Sequence, residues 1–314
     1  MQRPRRQKDQ RTHVCILVNE SAAAYRPEPI EHLTTRIRTQ GGQYTVLRPR
    51  TANNLMEAAQ AASGRRRGRR LLPMQFKKRG PVTSLIACGG DGTFNLVARA
   101  ALAADLPVGL LPMGRFNNIA RSLYTDLGME ASIKRIVERS YRLIDAGTVA
   151  GQPFFAAIGL GLTPHLARMM AKRKTPRLAL AWSRLVSQTV AHIEPKKTVV
   201  KVDAFRFDIS PTILNVHLLS HSVGLPMTPA SLVDDRRAEI IFDVRANRRD
   251  LAAYARQISK GNFVYGSAVR LFRGSIITIQ PTRGRTLYLD GELIDLPTNI
   301  LDIKISEKQL KVYR

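Results

Sequence analysis

The sequence predicts a two-domain protein: an α/β domain built on a parallel sheet, followed by a β-sandwich-like second domain. Three observations carry this. The 314 residues are about twice a typical domain length, and 44% hydrophobic residues is ample for two cores. Buried strand runs alternate with helical patterns from His13 to Tyr124, the signature of a parallel sheet with helices on both faces. Beyond that, short strand-like pieces bounded by turn residues dominate. The expected organisation is a basic arm at 1–12, the α/β domain at 13–143 with a basic insertion at 64–80, and the β-rich domain at 144–314. The last strand of the second domain can return to the first.

Taken in order, His13–Asn19 (HVCILVN) is a short β-branched run that reads as a buried strand. Pro29 opens a helical pattern with Ile30, Leu33 and Ile37 on one face, closed by Gly41-Gly42. Gln43–Leu47 is a second strand, and Leu55–Ala62 an alanine-rich helix. Val82–Cys88 is a third buried strand running straight into Gly89-Gly90-Asp91-Gly92-Thr93. Phe94–Ala104 is helical, with Leu96, Val97, Ala100, Ala101 and Ala104 at helical spacing. Val108–Leu111 is a fourth strand ending at Pro112-Met113-Gly114, and Asn117–Tyr124 turns helical again. The pattern changes at Tyr141–Val149. Strand-like pieces follow at Phe154–Ile158, Thr198–Phe207, Thr212–Leu219, Ala238–Val244, Ser275–Gln280, Thr286–Leu289 and Ile300–Ile305. Two helical inserts, Pro164–Ile193 and Arg249–Lys260, interrupt them.

Charge bounds the partners. Fifty Lys+Arg against 24 Asp+Glu give a formal charge of +26, which attracts polyanions without choosing among nucleic acid, anionic lipid and phosphorylated substrate. The excess is uneven: residues 65–79 (RRRGRRLLPMQFKKR) hold eight basic side chains and no acid. Solvated loops explain such clusters, as does docking on an anionic membrane surface, to which Leu71, Leu72 and Phe76 are suited. No zinc finger, RRM signature or helix-turn-helix is evident and aromatics are only 6%, so no specific nucleic acid is expected. Two cysteines, Cys15 and Cys88, exclude a disulfide scaffold and a four-thiolate zinc site, and their apolar settings fit a reducing compartment. The longest clean apolar stretch, Phe154–Leu162, is far short of the ~20 residues that span a bilayer. A cytoplasmic, peripherally membrane-associated protein is expected; nothing fixes its oligomeric state.

A glycine cluster after the third strand of an α/β sheet, opening a helix, is where phosphate binding is expected. Glycines let the backbone approach an anion, and the helix N-terminus presents N–H groups with a positive dipole. A plain glycine turn capped by Asp91 or Thr93 is the alternative. The pattern is neither the Rossmann G-x-G-x-x-G nor a Walker loop. It resembles instead the diacylglycerol-kinase catalytic family, which includes bacterial soluble lipid kinases and sphingosine kinases. Gly89–Thr93 is similar to the family's GGDGT nucleotide loop, and Gly109–Leu123 (GLLPMGRFNNIARSL) to its second phosphate-side segment. Ile144-Asp145-Ala146-Gly147 with Phe154-Phe155 and Gly159-Leu160-Gly161 resembles the start of its second domain. Asp234-Asp235 resembles a "DG.L.V" segment, and Leu289-Asp290-Gly291-Glu292 the DGE motif.

The resemblance implies an ATP- and Mg²⁺-dependent kinase. It transfers the γ-phosphoryl to the hydroxyl of a diacylglycerol-like lipid entering between a nucleotide domain and a substrate domain. By the same resemblance Asp290 is the catalytic base, with Glu292 beside it. Gly89, Gly90, Asp91, Gly92, Thr93, Gly114, Arg115 and Asn117 hold the nucleotide, and Asp91 and Asp235 are metal candidates. For Asp290 the competing reading is an ordinary Asp-Gly hairpin turn. Several positions depart from the family pattern. Asn19-Glu20-Ser21-Ala22-Ala23 lacks the glycines expected after the first strand, and Leu96 stands where a Glu is usual. Arg115-Phe116 replaces a small pair, Asn118 replaces an Asp, and Arg236 replaces a glycine in a segment associated with a structural Mg²⁺. Two readings follow: Arg115 takes over part of the metal's work, or the chain is a catalytically impaired pseudokinase that binds nucleotide or anionic lipid. A polyanion- or nucleic-acid-binding protein is a further alternative. His217 and His221 read as surface or core histidines without a third metal ligand, and Ser220 lacks nucleophile-elbow glycines. The basic amphipathic stretch from Leu166 to Trp182 reads as a solvated helix or an interfacial one.

Overall fold

The computed structural model describes residues 12–64, 81–171, 179–190, 192–244, 257, 268–296 and 298–314. Nearly all of the basic arm and of the 64–80 insertion lies outside the described residues. So do Lys172–Arg177 and, apart from Gln257, the Arg249–Lys260 insert. The chain forms two compact units. One takes the described residues up to Gly114, Asp126–Arg142 and Lys311–Arg314; the other takes those of Arg115–Thr125 and Leu143–Leu310.

In the first unit the strands β1 (His13–Val18), β2 (Gln43–Leu47), β3 (Ser84–Gly89) and β4 (Val108–Pro112) run parallel. Between them lie the helices α1 (Glu28–Thr39), α2 (Ala52–Ala62) and α3 (Asp91–Ala104). Every residue of β1, β3 and β4 is buried, as a sheet covered on both faces requires. Val14, Ile16 and Val18 face a cluster with Ile30, Leu33 and Ile37 of α1 and with Ile133 and Ile136 further on. The opposite face takes α2 and α3. Thr51 caps α2, its hydroxyl accepting from the Asn54 N–H at 3.2 Å, so that helix begins three residues before the predicted start.

The short helix α4 (Asn118–Leu123) belongs to the second unit and α5 (Met129–Glu138) to the first, while β5 (Tyr141–Ile144) is the edge strand of the first sheet. Helix α5 went unread in the sequence, although Met129, Ser132, Ile133 and Ile136 recur at helical spacing.

The second unit is antiparallel. Strands β6 (Gly147–Val149) and β7 (Gln152–Phe154) form a hairpin, followed by β8 (Ala157–Gly161), α6 (Leu162–Ala171) and α7 (Ala179–Val190). Then come β9 (Thr198–Val202), β10 (Phe205–Ile209), β11 (Ile213–His217), β12 (His221–Ser222), β13 (Leu225–Pro226) and β14 (Ala238–Asp243). The last are β15 (Val269–Gly274), β16 (Ile276–Gln280), β17 (Arg285–Leu289), β18 (Glu292–Leu296) and β19 (Leu301–Ile305), before β20 (Leu310–Tyr313). Two six-stranded sheets result, ordered β10-β9-β16-β19-β6-β7 and β15-β14-β11-β8-β17-β18. Alternate residues meet between them: Ile158, Leu160, Leu214, Val216, Ile240, Phe242, Leu287 and Leu289 against Val200, Val202, Ile277, Ile279, Leu301 and Ile303. That period of two fixes the register, since a one-residue slip would turn each set to the wrong face. The outer face of the second sheet packs α6 and α7 through Leu162, Leu166, Met170, Leu185 and Val186. Strand β20 joins the first unit's sheet, whose order is β2-β1-β3-β4-β20-β5.

The run predicted at Phe154–Ile158 is broken into β7 and β8, and that at Thr198–Phe207 is a hairpin turned at Asp203, whose φ is 49°. The Pro164–Ile193 insert is two helices, separated by residues outside the description. Strands β15 and β18 went unread because VRLFRG and ELIDL interleave charges with apolar residues on sparsely buried strands. Segment 115–125 joins the second unit, unlike the contiguous boundary expected at 143. Its own packing explains why. Phe116 lies against Gly224, where an added Cβ would come within 2.8 Å of the ring, and Asn118 accepts from the Gly224 N–H at 2.8 Å.

Candidate active site

The glycine corner sits at the carboxyl ends of β1, β3 and β4. In the order β2-β1-β3-β4 the chain reverses direction across the sheet between β1 and β3, the place where open α/β sheets bind ligands. The corner is tighter than a loop. Helix α3 starts at Asp91 rather than at the predicted Phe94, so Asp91, Gly92 and Thr93 form its first turn and Gly90 is the N-cap. No side chain caps this helix. Gly89 has no room for a Cβ, which would overlap the Thr93 side chain; a Cβ on Gly90 would stand 3.0 Å from the Gly114 Cα. Two backbones thus approach each other where β3 and β4 end, and the positive end of a 14-residue helix emerges beside them. Asn19, ending the first strand, completes the corner. Its amide N–H donates to the Thr93 hydroxyl at 3.0 Å, and its carbonyl oxygen accepts from the Ser21 N–H at 3.0 Å. The sequence quoted Asn19 only as a departure; its place after a buried strand beside the glycine-bearing one is the signal that marks it. Burial pushes the Cys88 thiol in β3 well above its ordinary pKa and the Cys15 thiol to about 12, so neither acts as a thiolate.

Gly114 lies in this corner, but Arg115 and Asn117 belong to the second unit. The Arg115 guanidinium donates to the Met170 carbonyl at the end of α6. Asn117, at φ 51°, is the left-handed N-cap of α4, and its carbonyl accepts from the Arg121 N–H at 2.9 Å. Asn118, 2% exposed, lies 3.5 Å through its Nδ2 from the Tyr288 hydroxyl. Leu96 is half-buried on α3.

Asp290 forms the Asp-Gly hairpin turn of the competing reading. Asp290-Gly291 is the two-residue turn between β17 and β18, with φ of 46° and 103° and Leu289 paired to Glu292. The Asp290 side chain is nevertheless 2% exposed. Its Oδ2 accepts from the Phe155 N–H at 2.6 Å, and its Oδ1 from the Ala156 and Ala157 N–H groups, both at 2.8 Å. These are the amides left over where the β7–β8 run breaks. Three converging donors suit a carboxylate, which only accepts, and hold it in one orientation. Glu292, next to it in the motif, is exposed at the start of β18.

At Asp235 a guanidinium lies among the carboxylates. Arg273 Nη2 lies 2.9 Å from the Glu239 carboxylate and Nη1 3.8 Å from that of Asp235. The Arg236 N–H donates to Asp145 Oδ2 at 2.7 Å, and Gln309 Nε2 donates to Oδ1 at 2.8 Å. Burial, with Asp235 and Asp234 nearby, holds the Asp145 carboxyl above its ordinary pKa; burial does the same to Glu239. Among the described residues no group of three His, Cys, Asp or Glu side chains is placed to hold a metal ion, at Asp235 or at Asp91. His217 and His221 lie on strands, and burial lowers both to about 4, so they are neutral imidazoles.

Comparison with known proteins places this geometry. Residues 13–149 match the family model of the diacylglycerol kinase catalytic domain, and residues 156–314 that of the YegS C-terminal NAD kinase beta sandwich-like domain. A diacylglycerol kinase of Staphylococcus saprophyticus is 25% identical over 227 residues, covering 70% of this chain and 74% of that protein. One of Staphylococcus carnosus is 24% identical over 236 residues, covering 73% and 76%. Among solved structures, a diacylglycerol kinase of Bacillus anthracis str. Sterne superposes with a TM-score of 0.69 over 97% of both chains, at 14% identity. A second chain from that organism gives 0.76 at 17% identity, again over 97% of both. Matched along both halves, the chain belongs to the diacylglycerol kinase catalytic family and is an ATP-dependent kinase.

Proposed function

We propose that the chain transfers the γ-phosphoryl of ATP to the hydroxyl of a diacylglycerol-like lipid at an anionic membrane surface. The observation that carries this reading is the corner at Gly89, Gly90 and Gly114, with an uncapped 14-residue helix behind it and no space for a Cβ at Gly89. Such a corner suits the phosphates of a nucleotide. Gly89, Gly90, Asp91, Gly92, Thr93 and Gly114 take the nucleotide, with Asn19 fixing the Thr93 hydroxyl. Mg²⁺ arrives as MgATP, a substrate, and no step is assigned to a resident metal, since the described carboxylates do not assemble a site. Asp290 receives the proton of the attacking hydroxyl, its orientation held by three amides; Glu292 acts beside it from the solvent side. Arg115, tied to Met170, orders the start of α4 more than it clamps phosphate. The formal charge of +26 supports attraction to an anionic surface, and among the described residues no helix is long and apolar enough to cross a membrane.

The deciding experiment follows labelled γ-phosphate from MgATP into diacylglycerol in mixed micelles containing anionic lipid, with Asp290→Asn alongside. A labelled lipid, lost in the variant while ATP still binds, is the expected outcome. ATP binding without transfer to any lipid would leave the pseudokinase reading, and failure to bind ATP would overturn the assignment of the glycine corner.

A further inference from the structure

The second unit contains a cavity of about 340 Å³ at the far end of β17 from Asp290, between the end of β8, α6 and the segment leading into β9. Arg285 opens β17 and Asp290 follows its last residue, so the two are separated by about 17 Å along an extended strand. The cavity has two kinds of lining. Leu160, Ile193, Pro211 and Leu214 form an apolar floor, and Leu160 and Leu214 belong to the sandwich core, so the floor is the rim of that core. Arg168, Lys196 and Arg285 supply three cations against one acid, Glu194, leaving two net positive charges.

These cations are not spent on carboxylates. Arg285 donates to the Thr198 hydroxyl at 3.0 Å and to the Lys197 carbonyl at 3.2 Å, both neutral acceptors. Arg168 donates to the Thr286 hydroxyl at 3.3 Å, which itself donates to Asp295 at 2.9 Å. Among the described residues no acid forms an ion pair with Arg168, Lys196 or Arg285. Burial lowers the pKa of the half-buried Arg285 from its ordinary value, the mark of a desolvated charge. His165 and His192 also line the cavity. Each places Nδ1 2.8 Å from the backbone carbonyl four residues earlier, that of Gly161 and of Gln188, which fixes the tautomer and leaves Nε2 to other partners.

A concave site with an apolar floor, two guanidinium forks, an ammonium and a charge excess of two matches one chemistry. A phosphomonoester carries close to two negative charges at neutral pH and presents three oxygens to such forks. We propose that this cavity binds a phosphomonoester group attached to an apolar body, the phosphate meeting Arg168, Lys196 and Arg285 and the body resting on Leu160, Ile193 and Leu214. The site is separate from the glycine corner and from Asp290, and its occupation does not depend on lipid phosphorylation being the activity.

Calorimetric titration of the full chain, without ATP, tests it with two probes: dihexanoyl phosphatidic acid, for a lipid source, and glycerol 3-phosphate, for a soluble one. Binding is expected to weaken about tenfold or more in Arg285→Gln and in Arg168→Gln, and to stay unchanged in Arg206→Gln, which alters an exposed residue of β10. Melting temperatures recorded alongside confirm that each variant is folded. Lys196→Gln, at an exposed position, gives the same readout should Arg285→Gln unfold. Tighter binding of the dihexanoyl probe supports the proposal and assigns a lipid ligand; equal binding of the two probes overturns the apolar-body part of it. No heat from either probe, or binding that survives Arg168→Gln with Lys196→Gln, overturns the proposal.

Discussion

The glycine corner of the first unit and the Asp290 turn of the second solve opposite problems with the same groups. At the corner, Gly90 is the N-cap of α3 and brings no side-chain cap hydrogen bond to the helix. At the turn, three backbone N–H groups converge on a carboxylate that the protein supplies itself. One region leaves its helix cap to a glycine; the other uses three backbone donors to hold a side chain still. The proposed phosphate site is thus where the chain withholds a side-chain cap, and the rigid acid where it concentrates donors.

The largest way to break the contrast is Asp290→Asn. Both carboxylate oxygens accept, so the amide must aim an NH₂ at a backbone N–H. Unfolding by urea should show a loss of about 2–4 kcal/mol, and a near-neutral result would mean that the clasp is loose. Next is Gly90→Ala, whose Cβ would press on the Gly114 Cα at 3.0 Å, a backbone atom that cannot rotate away. MgATP affinity, measured by titration, should fall about 100-fold, near 2.7 kcal/mol, while the melting temperature moves little. An unaltered affinity would remove the corner from the nucleotide site.

Arg273→Gln asks whether a cation holds the Asp235–Glu239 region together. Stability should fall by about 1–2 kcal/mol, discounted for an arginine side chain that is 35% exposed, and neither Mg²⁺ nor a chelator should change that difference. Rescue by Mg²⁺ would show that a metal site had been masked. The smallest effect sharpens the Asp290 case. Asp243 is also buried, but its Oδ1 accepts from both the Thr212 and Ile213 N–H groups at 2.8 Å, two bonds that an amide oxygen can keep. Asp243→Asn should cost less than about 1 kcal/mol. Burial holds the Asp243 carboxyl above its ordinary pKa, so the folded state keeps its proton to higher pH than the unfolded chain does. That contribution is present below about pH 3.9 and is lost as pH rises through the folded value. Stability curves against pH should therefore lose this decline in the variant.

What was legible in the sequence follows the range of the interactions. Gly89-Gly90 declares itself because only glycine fits where Thr93 and Gly114 crowd the backbone, and Asp290-Gly291 because a two-residue turn needs positive φ at both positions. Most strands of the sandwich were readable as short apolar runs between turn residues, though not which of their side chains meet in the core. The Asp290 clasp was not, since its donors lie 133 to 135 residues earlier and show in the sequence only as a strand that breaks. Nor was the membership of segment 115–125, which rests on Phe116 meeting Gly224 and on Asn118 bonding to the same residue. The pairing of Arg273 was unread because its partners, Glu239 and Asp235, lie outside its own strand.

The return of β20 has a consequence for biosynthesis. Its Lys311 ammonium lies 2.8 Å from the Asp105 carboxylate, 206 residues earlier, and Val312 pairs with Val108 of β4. While the ribosome is making the intervening sandwich, the first sheet lacks a strand beside β4, and its hydrogen-bonding edge stays open to any extended segment nearby. The nucleotide-binding unit, although encoded first, is completed only after the sandwich has been translated. Its folding is thus timed by the slower, high-contact-order β topology, and a nascent chain stalled before residue 310 carries an unfinished, aggregation-prone sheet.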